Sequence, residues 1–477
     1  MRKLIHTLKR HPDFIVILIL GVLLRVKDIA VHEFWYDEAF TGLLMKVSNA
    51  ELFRILHFDA HPPLYILLSR AWSIIFGATD ISLRVLPLLF GVITLPVIYI
   101  LTKNMFNKNA AVITTLLVAV NPFQIGYSVE ARSYTFYGLL TLLVIYAIYR
   151  KRFNLFAAGI CFLLATHYMS LTFIPFLILY YFWQAKKSKL SLIKAAIKLV
   201  PFIIFGVLIY NLGFLKTVPY QNIDWTEKSS YTSVTKAISA FSYGVKTKKP
   251  GAVELLDVNL PISTKTLGYT AFGMYFFWLA VYLKKYRDNW HETSNVLFSQ
   301  ILIFGPMLLL ITFGIFTHKS VFVERYVFPS SLVFLMSSGF LLSKILRFEQ
   351  AAIIVALYIL TLTRLTTPSY YYGIKEMAKT AIAEKAEVVF VSPIDFTVAF
   401  YYFGLNPNIK FYDPKNPNAN YQSWGFIDNK KSKPTELNTA IIVASQESQV
   451  DSNFKEVVPN VNFGNFRIYT YKKLPVN

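Results

Sequence analysis

The sequence is poor in cysteine and in acidic residues. Cys161 is the one cysteine among 477 residues and lies inside an apolar run, so no disulfide can form within the chain. Asp and Glu number 27 against 48 Lys and Arg. There is no Walker-type or dinucleotide-binding glycine-rich loop, and no group of residues has the spacing of zinc ligands. The sequence therefore requires no cofactor, and it leaves dependence on a divalent metal open.

Hydrophobic residues make up 55% of the chain and aromatic residues 16%. They form many apolar runs long enough to cross a bilayer, which is typical of a polytopic membrane protein. The formal net charge of +21 does not indicate nucleic-acid binding, because the basic residues stand in short clusters between the apolar runs. Such clusters follow the positive-inside rule.

We predict an all-α polytopic membrane protein with about eleven transmembrane helices and one interfacial helix, Pro62–Phe76. The predicted spans are Phe14–Val31, Ser82–Leu101, Ala110–Ile125, Tyr134–Tyr149, Phe153–Thr166, Met169–Trp183, Leu192–Leu212, Leu267–Leu283, Val296–Phe316, Tyr326–Leu342 and Ala351–Leu365. If Pro62–Phe76 does not cross, every short basic loop falls on the side of the N-terminus, which is then cytoplasmic. The opposite, outer side receives the loop with Asp37 and everything from about residue 368 onward.

The chain changes character near residue 368, where basic and acidic residues nearly balance. Glu387–Val391 and Ala440–Ala444 are predicted to be buried strands, a helix start is predicted at Ser392, and Val457–Val461 with Phe466–Tyr471 is predicted to form a closing hairpin. We therefore predict two domains: residues 1–367 in the membrane and a small extracytoplasmic α/β domain at residues 368–477.

Two carboxylates side by side, Asp37 and Glu38, follow the first apolar run and are flanked by aromatic residues. A solvated loop would explain an acidic pair. A carboxylate held at the membrane interface and partly desolvated could instead act as a general base on a hydroxyl. Asp59 and His61 precede a proline pair, so they are either helix-capping residues or part of a site.

Further candidates lie at the predicted outer ends of spans: Glu130, Arg132 and Tyr134 in one loop, and Arg325 and Tyr326 in another. Local ion pairs at the water boundary would account for the charged ones. A guanidinium at this level is also suited to gripping a phosphate with its forked donors. Snorkelling accounts for Arg25, and His167 is interpreted as an interfacial histidine.

Taken together, five segments resemble the GT-C superfamily of membrane glycosyltransferases, in the bacterial branch of protein O-mannosyltransferases and lipid A aminoarabinose transferases. These segments are Trp35–Glu38, Asp59–Tyr65, Leu83–Pro87, Tyr127–Tyr134 and Glu324–Tyr326. The resemblance implies a GT-C fold over about residues 14–365. It also implies that Asp37 is the catalytic base with Glu38 beside it, and that Arg132 and Arg325 contact phosphate.

We accordingly expect an enzyme that transfers a sugar from a polyprenyl-phosphate donor to a protein, lipid or glycan acceptor at the outer face of the cytoplasmic membrane. Substrate-binding candidates are Asp59, His61, Glu130, Arg132, Tyr134, Arg325 and Tyr326. The alternatives are a polytopic lipid or glycan transporter or flippase, and a catalytically inactive assembly subunit. A transporter would carry ionisable groups near the bilayer midplane, whereas here the charges gather at one end of the spans.

Overall fold

The computed structural model is mostly helical, with one small sheet. It describes residues 12–27, 29–30, 33–57, 59, 61–212, 230, 232–244, 264–286, 288–318, 322–347, 350, 374–375, 387–390, 393–405, 409–411, 440–445 and 466–470. The chain divides into two compact units. The first unit comprises Met1–Ile29, Ala60–Leu67 and Arg84–Pro368, and the second comprises Ala30–Asp59, Leu68–Leu83 and Ser369–Asn477.

The α-helices up to residue 187 are α1 (Pro12–Val26), α2 (Tyr36–Leu44), α3 (Asn49–Leu56), α4 (Leu64–Phe76), α5 (Asp80–Met105), α6 (Lys108–Val120), α7 (Pro122–Ser128), α8 (Tyr134–Tyr149), α9 (Phe153–Thr166) and α10 (Ile174–Lys187). Those that follow are α11 (Leu192–Ile197), α12 (Val200–Asn211), α13 (Thr232–Tyr243), α14 (Thr264–Tyr286), α15 (Trp290–Thr317), α16 (Phe328–Ile345) and α17 (Pro393–Tyr402). Short 3₁₀ helices occupy Tyr168–Thr172 and Glu324–Val327.

The prediction of an all-α polytopic membrane protein is confirmed. Among the described residues, four helical segments are long and apolar enough to cross a membrane, and α6 with α7 makes a fifth if the bent pair is one span. The four are α5, Leu192–Asn211, α15 and Glu324–Ile345. The eleventh predicted span, Ala351–Leu365, lies outside the described residues, so the count of about eleven stays a prediction.

The predicted span Ala110–Ile125 consists of two helices, because α6 and α7 meet at a bend of 59°. Pro122 has no N–H to donate to the carbonyl of Val118, so the helical hydrogen bond at this point is lost. Asn121 has extended backbone angles, and its side chain caps α7 by accepting the Gln124 N–H at 3.1 Å. Chain direction therefore changes just before the loop that carries Glu130 and Arg132.

Arg25 stabilises this bend, and its interpretation as a snorkelling residue is wrong. Its side chain is buried, with 1% of its surface exposed. The guanidinium donates to the Val118 carbonyl at 3.1 Å, to the Ala119 carbonyl at 2.9 Å and to the Ser128 hydroxyl at 3.1 Å. It thus supplies donors to carbonyls at the end of α6, where a helix leaves such groups without partners.

The core of the first unit is built on close packing of α16 along α6. Gly339 permits the approach, because a Cβ atom there would lie 2.8 Å from the backbone nitrogen of Thr114. Buried polar contacts join the helices further: the Gln124 amide donates to Ser331 Oγ at 2.6 Å, and the Asn121 amide donates to the Phe241 carbonyl at 2.8 Å. The first unit is therefore held by both shape and hydrogen bonds.

The second unit contains a four-stranded sheet of β1 (Glu387–Phe390), β2 (Ile409–Phe411), β3 (Ala440–Ser445) and β4 (Phe466–Thr470) in the order β2-β1-β3-β4. β1 pairs parallel with β2 and β3, whereas β4 pairs antiparallel with β3. The two predicted strands at β1 and β3 are present. The other half of the predicted hairpin, Val457–Val461, and the predicted cap Ser392 lie outside the described residues, and the boundary at residue 367 stays a prediction.

Helix α2, which carries the acidic pair, packs against α17 within the second unit. A Cβ atom on Gly42 would lie 2.5 Å from Cε2 of Tyr401, so only glycine allows this contact. The Phe34 N–H donates to the Tyr402 hydroxyl at 2.7 Å, and Lys46 Nζ donates to the Tyr401 carbonyl at 3.0 Å. The acidic helix and the C-terminal α/β segment therefore form one packed body.

Candidate functional site

In the first unit, Arg132 lies against His61. The two residues are 71 positions apart, and Arg132 Nη2 is 2.9 Å from Nε2 and 3.1 Å from Nδ1 of the imidazole. Arginine carries only donors, so the imidazole nitrogen must be the acceptor. Arg132 is 5% exposed, whereas His61 is partly exposed. The sequence analysis names both residues, and the structure brings them together.

The loop that carries Arg132 joins α7 to α8 and is buried along its length. Glu130 and Tyr134 are each 1% exposed, and the Arg132 N–H donates to the Glu130 carbonyl at 2.6 Å. Tyr134 is the first residue of α8 and packs edge-on against Tyr127, with ring centroids 5.0 Å apart. This buried loop therefore holds the Arg132 guanidinium in place.

His167 is a central residue of this region that sequence reasoning missed as a site residue. It is 3% exposed, and its Nδ1 accepts the Met169 N–H at 3.2 Å. The ring proton therefore sits on Nε2, which has no hydrogen-bond partner among the described residues. The ring stands edge-on to His61 at 5.5 Å between centroids and stacks on Tyr137 at 5.0 Å.

The pKa of His167 reflects its buried and positively charged surroundings. Burial lowers the pKa of His167 well below its usual value, and the charges of His61, Arg132 and Arg325 lower it further. His167 is therefore a neutral hydrogen-bond donor at neutral pH. Arg325 follows α15 on a 3₁₀ helix, and its neighbour Tyr326 lies 6.1 Å from His167 between ring centroids.

The acidic pair belongs to the second unit, where it occupies the first turn of α2 rather than an irregular loop. The two carboxylates differ in access. Glu38 is 1% exposed and is turned into the protein, whereas Asp37 is partly exposed. A helix N-terminus favours negative charge at both positions. Asp59 is in the same unit and is buried, at 9% exposure.

Glu33, four residues before Asp37, is a buried carboxyl group that the sequence analysis did not single out. Burial raises its pKa, and hydrogen bonds from the backbone of Lys375 and Ile374 partly oppose that rise. Its Oε1 accepts the Lys375 N–H at 3.1 Å. Because the group is engaged with the C-terminal segment, we interpret Glu33 as a structural residue.

No group of three or more His, Cys, Asp and Glu side chains within the described part of the chain is arranged to hold a metal ion. The arrangement offers instead two guanidinium groups, a neutral imidazole donor and aromatic walls. These groups suit an anion such as a phosphate ester.

Residues 60–210 match the family model described as dolichyl-phosphate-mannose-protein mannosyltransferase. No curated protein sequence matches the chain. The fold is similar to that of apo ArnT from Cupriavidus metallidurans, with 12% identity, a TM-score of 0.49, and coverage of 96% of this chain and 97% of that one. The apo oligosaccharyltransferase of Archaeoglobus fulgidus is also similar, with 13% identity, a TM-score of 0.48, and coverage of 91% and 69%. Because both TM-scores are below 0.5, we draw no functional conclusion from these two structures.

The family match includes His61, Glu130, Arg132, Tyr134 and His167. Over this part of the chain, the match confirms the resemblance of this multi-pass membrane protein to the GT-C membrane glycosyltransferases.

Proposed function

We propose that the protein transfers a sugar from a polyprenyl-phosphate donor to an acceptor hydroxyl at the outer face of the cytoplasmic membrane. The observation that carries this proposal is the buried Arg132 against His61. The His61 ring adjoins that of His167, which lies 6.1 Å between centroids from Tyr326, the neighbour of Arg325. The name of the matched family refers to a lipid-phosphate sugar of this kind.

The arginines would stabilise the leaving group. Negative charge grows on the lipid phosphate as its bond to the anomeric carbon breaks. Arg132 and Arg325 would meet this charge already in position, so little reorganisation is needed during the reaction. The Nε2–H of His167 would add a neutral donor to a phosphate or sugar oxygen, and the tyrosine rings would form apolar walls for the sugar and lipid.

Asp37 would be the general base that takes the proton from the acceptor hydroxyl as that oxygen attacks the anomeric carbon. Its partial exposure supports this choice over Glu38, which is buried and so cannot meet an acceptor without rearrangement. The anomeric carbon would be inverted, because the attacking oxygen arrives opposite to the departing phosphate.

The proposal is tested with the purified protein and a panel of polyprenyl-phosphate sugars, by detecting release of the free lipid phosphate. Asp37→Asn keeps the shape and loses the proton acceptor, so turnover should fall roughly 10²–10⁴-fold with donor binding little changed. Glu38→Gln should cost less. Normal release by Asp37→Asn with intact binding would exclude Asp37 as the base.

Arg132→Ala tests the phosphate contact separately. It removes a buried charged contact, a loss of about 2–5 kcal/mol in donor interaction. Lysine at this position should restore only part of the donor affinity, since its ammonium group is a point charge and lacks the forked donors of a guanidinium. Arg54→Ala is the matched control, because Arg54 is exposed and pairs with Glu51 on its own helix at 2.6 Å. Equal donor affinity in both variants would remove Arg132 from the donor site.

A further inference from the structure

A cavity of about 590 Å³ lies at the end of α8 that is remote from Arg132. Helix α8 begins at Tyr134 and ends at Tyr149, a rise of about 24 Å over its 16 residues. Tyr149 lines the cavity, whereas Tyr134 borders the candidate site. The two sites therefore lie at opposite ends of one helix, and the sequence analysis predicts that the cavity end is cytoplasmic.

The lining of this cavity is strongly basic over a polar floor. Arg150, Lys151, Arg152 and Lys187 contribute cationic side chains, and Gln184 and Asn295 are buried beneath them. Among the described residues, no aspartate or glutamate lines the cavity. Glu292, next to His291 of the lining, is bound to Lys344 at 2.7 Å instead. The cations therefore face the cavity without local compensation from its lining.

Local structure brings these cations together. The chain between α8 and α9 turns back through hydrogen bonds from Lys151 N–H to the Ile148 carbonyl at 3.0 Å and from Arg152 N–H to the Ala147 carbonyl at 2.8 Å. Lys151 adopts a left-handed conformation with φ of 59°, where glycine is usual at a helix end. A lysine stands at a position whose backbone alone would favour glycine.

Lys187 is fixed at the edge of the cavity by Trp183. Its Nζ lies 3.8 Å from the centre of the Trp183 ring. Burial lowers the pKa of Lys187, which lies past the end of the predicted span, and the charge of Lys151 lowers it further. Trp290, the first residue of α15, is 62% exposed, and exposed tryptophans are typical of the membrane interface. Two tryptophans, Trp183 and Trp290, therefore lie next to the basic cavity.

The positive-inside rule alone would give basic residues spread along the surface at this end. It gives no reason for four cations around one open cavity in which Gln184 and Asn295 are buried. Basic pockets between membrane helices on the cytoplasmic side are suited to phosphate-bearing lipid head groups. We propose that this cavity binds a phosphate ester group from the leaflet opposite to the candidate active site, as a second anion site separate from the donor site.

The test compares two variants with equal loss of charge. Arg152→Gln with Lys187→Gln removes two cations from the cavity, and Lys284→Gln with Lys285→Gln removes two exposed cations from the end of α14, outside the lining. Intact protein in nanodiscs of phosphatidylcholine containing phosphatidylglycerol is assayed for the phosphatidylglycerol retained around it. A second arm measures binding of inorganic phosphate in detergent.

Retention of phosphatidylglycerol should fall roughly 10–30-fold in the cavity variant and less than threefold in the control, since each cation near a head group contributes about a factor of five. Binding of inorganic phosphate with the same pattern would identify a site for free phosphate as well as for lipid. Equal losses in the two variants, or no retention by the wild type in either arm, would overturn the proposal. Lipid-phosphate release is not needed as a readout, so the result is independent of the proposed reaction.

Discussion

The buried guanidinium of Arg25 offers the sharpest test of how the bend between α6 and α7 is maintained. Arg25→Met keeps much of the side-chain volume and removes all donors. The carbonyls of Val118 and Ala119 then lose the partners that they have at 3.1 and 2.9 Å. The Gly21 carbonyl is affected less, because it also lies within the hydrogen-bonded helix α1.

The expected cost follows from these two carbonyls. A buried polar group left without a partner costs about 1–3 kcal/mol, so the pair costs about 2–6 kcal/mol. Removing the charge also removes its desolvation cost, which offsets part of this sum. We therefore expect Arg25→Met to lower the free energy of unfolding by about 2–4 kcal/mol. Lysine should recover only part, because an ammonium group cannot reach several acceptors in a plane.

The assay is reversible unfolding in mixed micelles, with Lys27→Met as the matched control. Lys27 is an exposed cation two positions away, so its replacement should change stability by less than about 0.5 kcal/mol. Lipid-phosphate release should also fall in Arg25→Met, since the bend leads into the Arg132 loop. Equal stability of the two variants would refute the view that Arg25 holds the bend.

Three further outcomes are expected. Because the pKa of His167 is lowered in the folded state, the unfolded chain takes up a proton at a higher pH than the folded protein. The stability should therefore fall as the pH drops below about 6.5. His167→Asn should flatten this dependence, measured as Tm at several pH values. Gly42→Ala should destabilise the protein by about 1–3 kcal/mol in chemical unfolding, because the new methyl group overlaps the Tyr401 ring. A single cysteine at Arg54 should react with a membrane-impermeant reagent added outside intact cells, whereas one at Lys187 should not, according to the predicted topology.

Each of these outcomes has its own control. His291→Asn at an exposed position is the control for His167→Asn, and the same flattening in both variants would contradict the role of burial. Tyr401→Ala combined with Gly42→Ala should remove the overlap, so fully additive losses would argue against the contact. The labelling is done in Cys161→Ser, and reaction at Lys187 from outside would reverse the orientation.

Hydropathy predicted helices well where an apolar run is bounded by polar residues. The predicted spans Tyr134–Tyr149 and Phe153–Thr166 have the same bounds as α8 and α9. The break at Asn121 was missed because apolar residues continue on both sides of it. An asparagine followed by a proline favours a turn, and this local signal predicts the break that the average hydropathy of the run hides.

Other features could not be derived from local sequence. Helix α13 lies between the predicted spans Leu192–Leu212 and Leu267–Leu283. Hydropathy did not identify it, because its composition is polar and only one of its faces is buried. Apart from the Gly21 carbonyl, the partners of Arg25 lie between 93 and 103 residues away, so its burial depends on tertiary packing. The same holds for His167, whose tautomer follows from a backbone contact and whose neighbours come from distant helices.

Helix α2 is synthesised long before α17, the helix on which it packs. Lys46 meets the Tyr401 carbonyl across 355 residues, so the acidic helix leaves the ribosome long before its partner exists. At ordinary elongation rates the interval is roughly 20–70 s. During that time the segment with Asp37 lacks the surface that holds Phe34 and Gly42. Completion of the chain would then act as a checkpoint, since a protein truncated before residue 393 would contain every predicted span and still leave its acidic helix undocked.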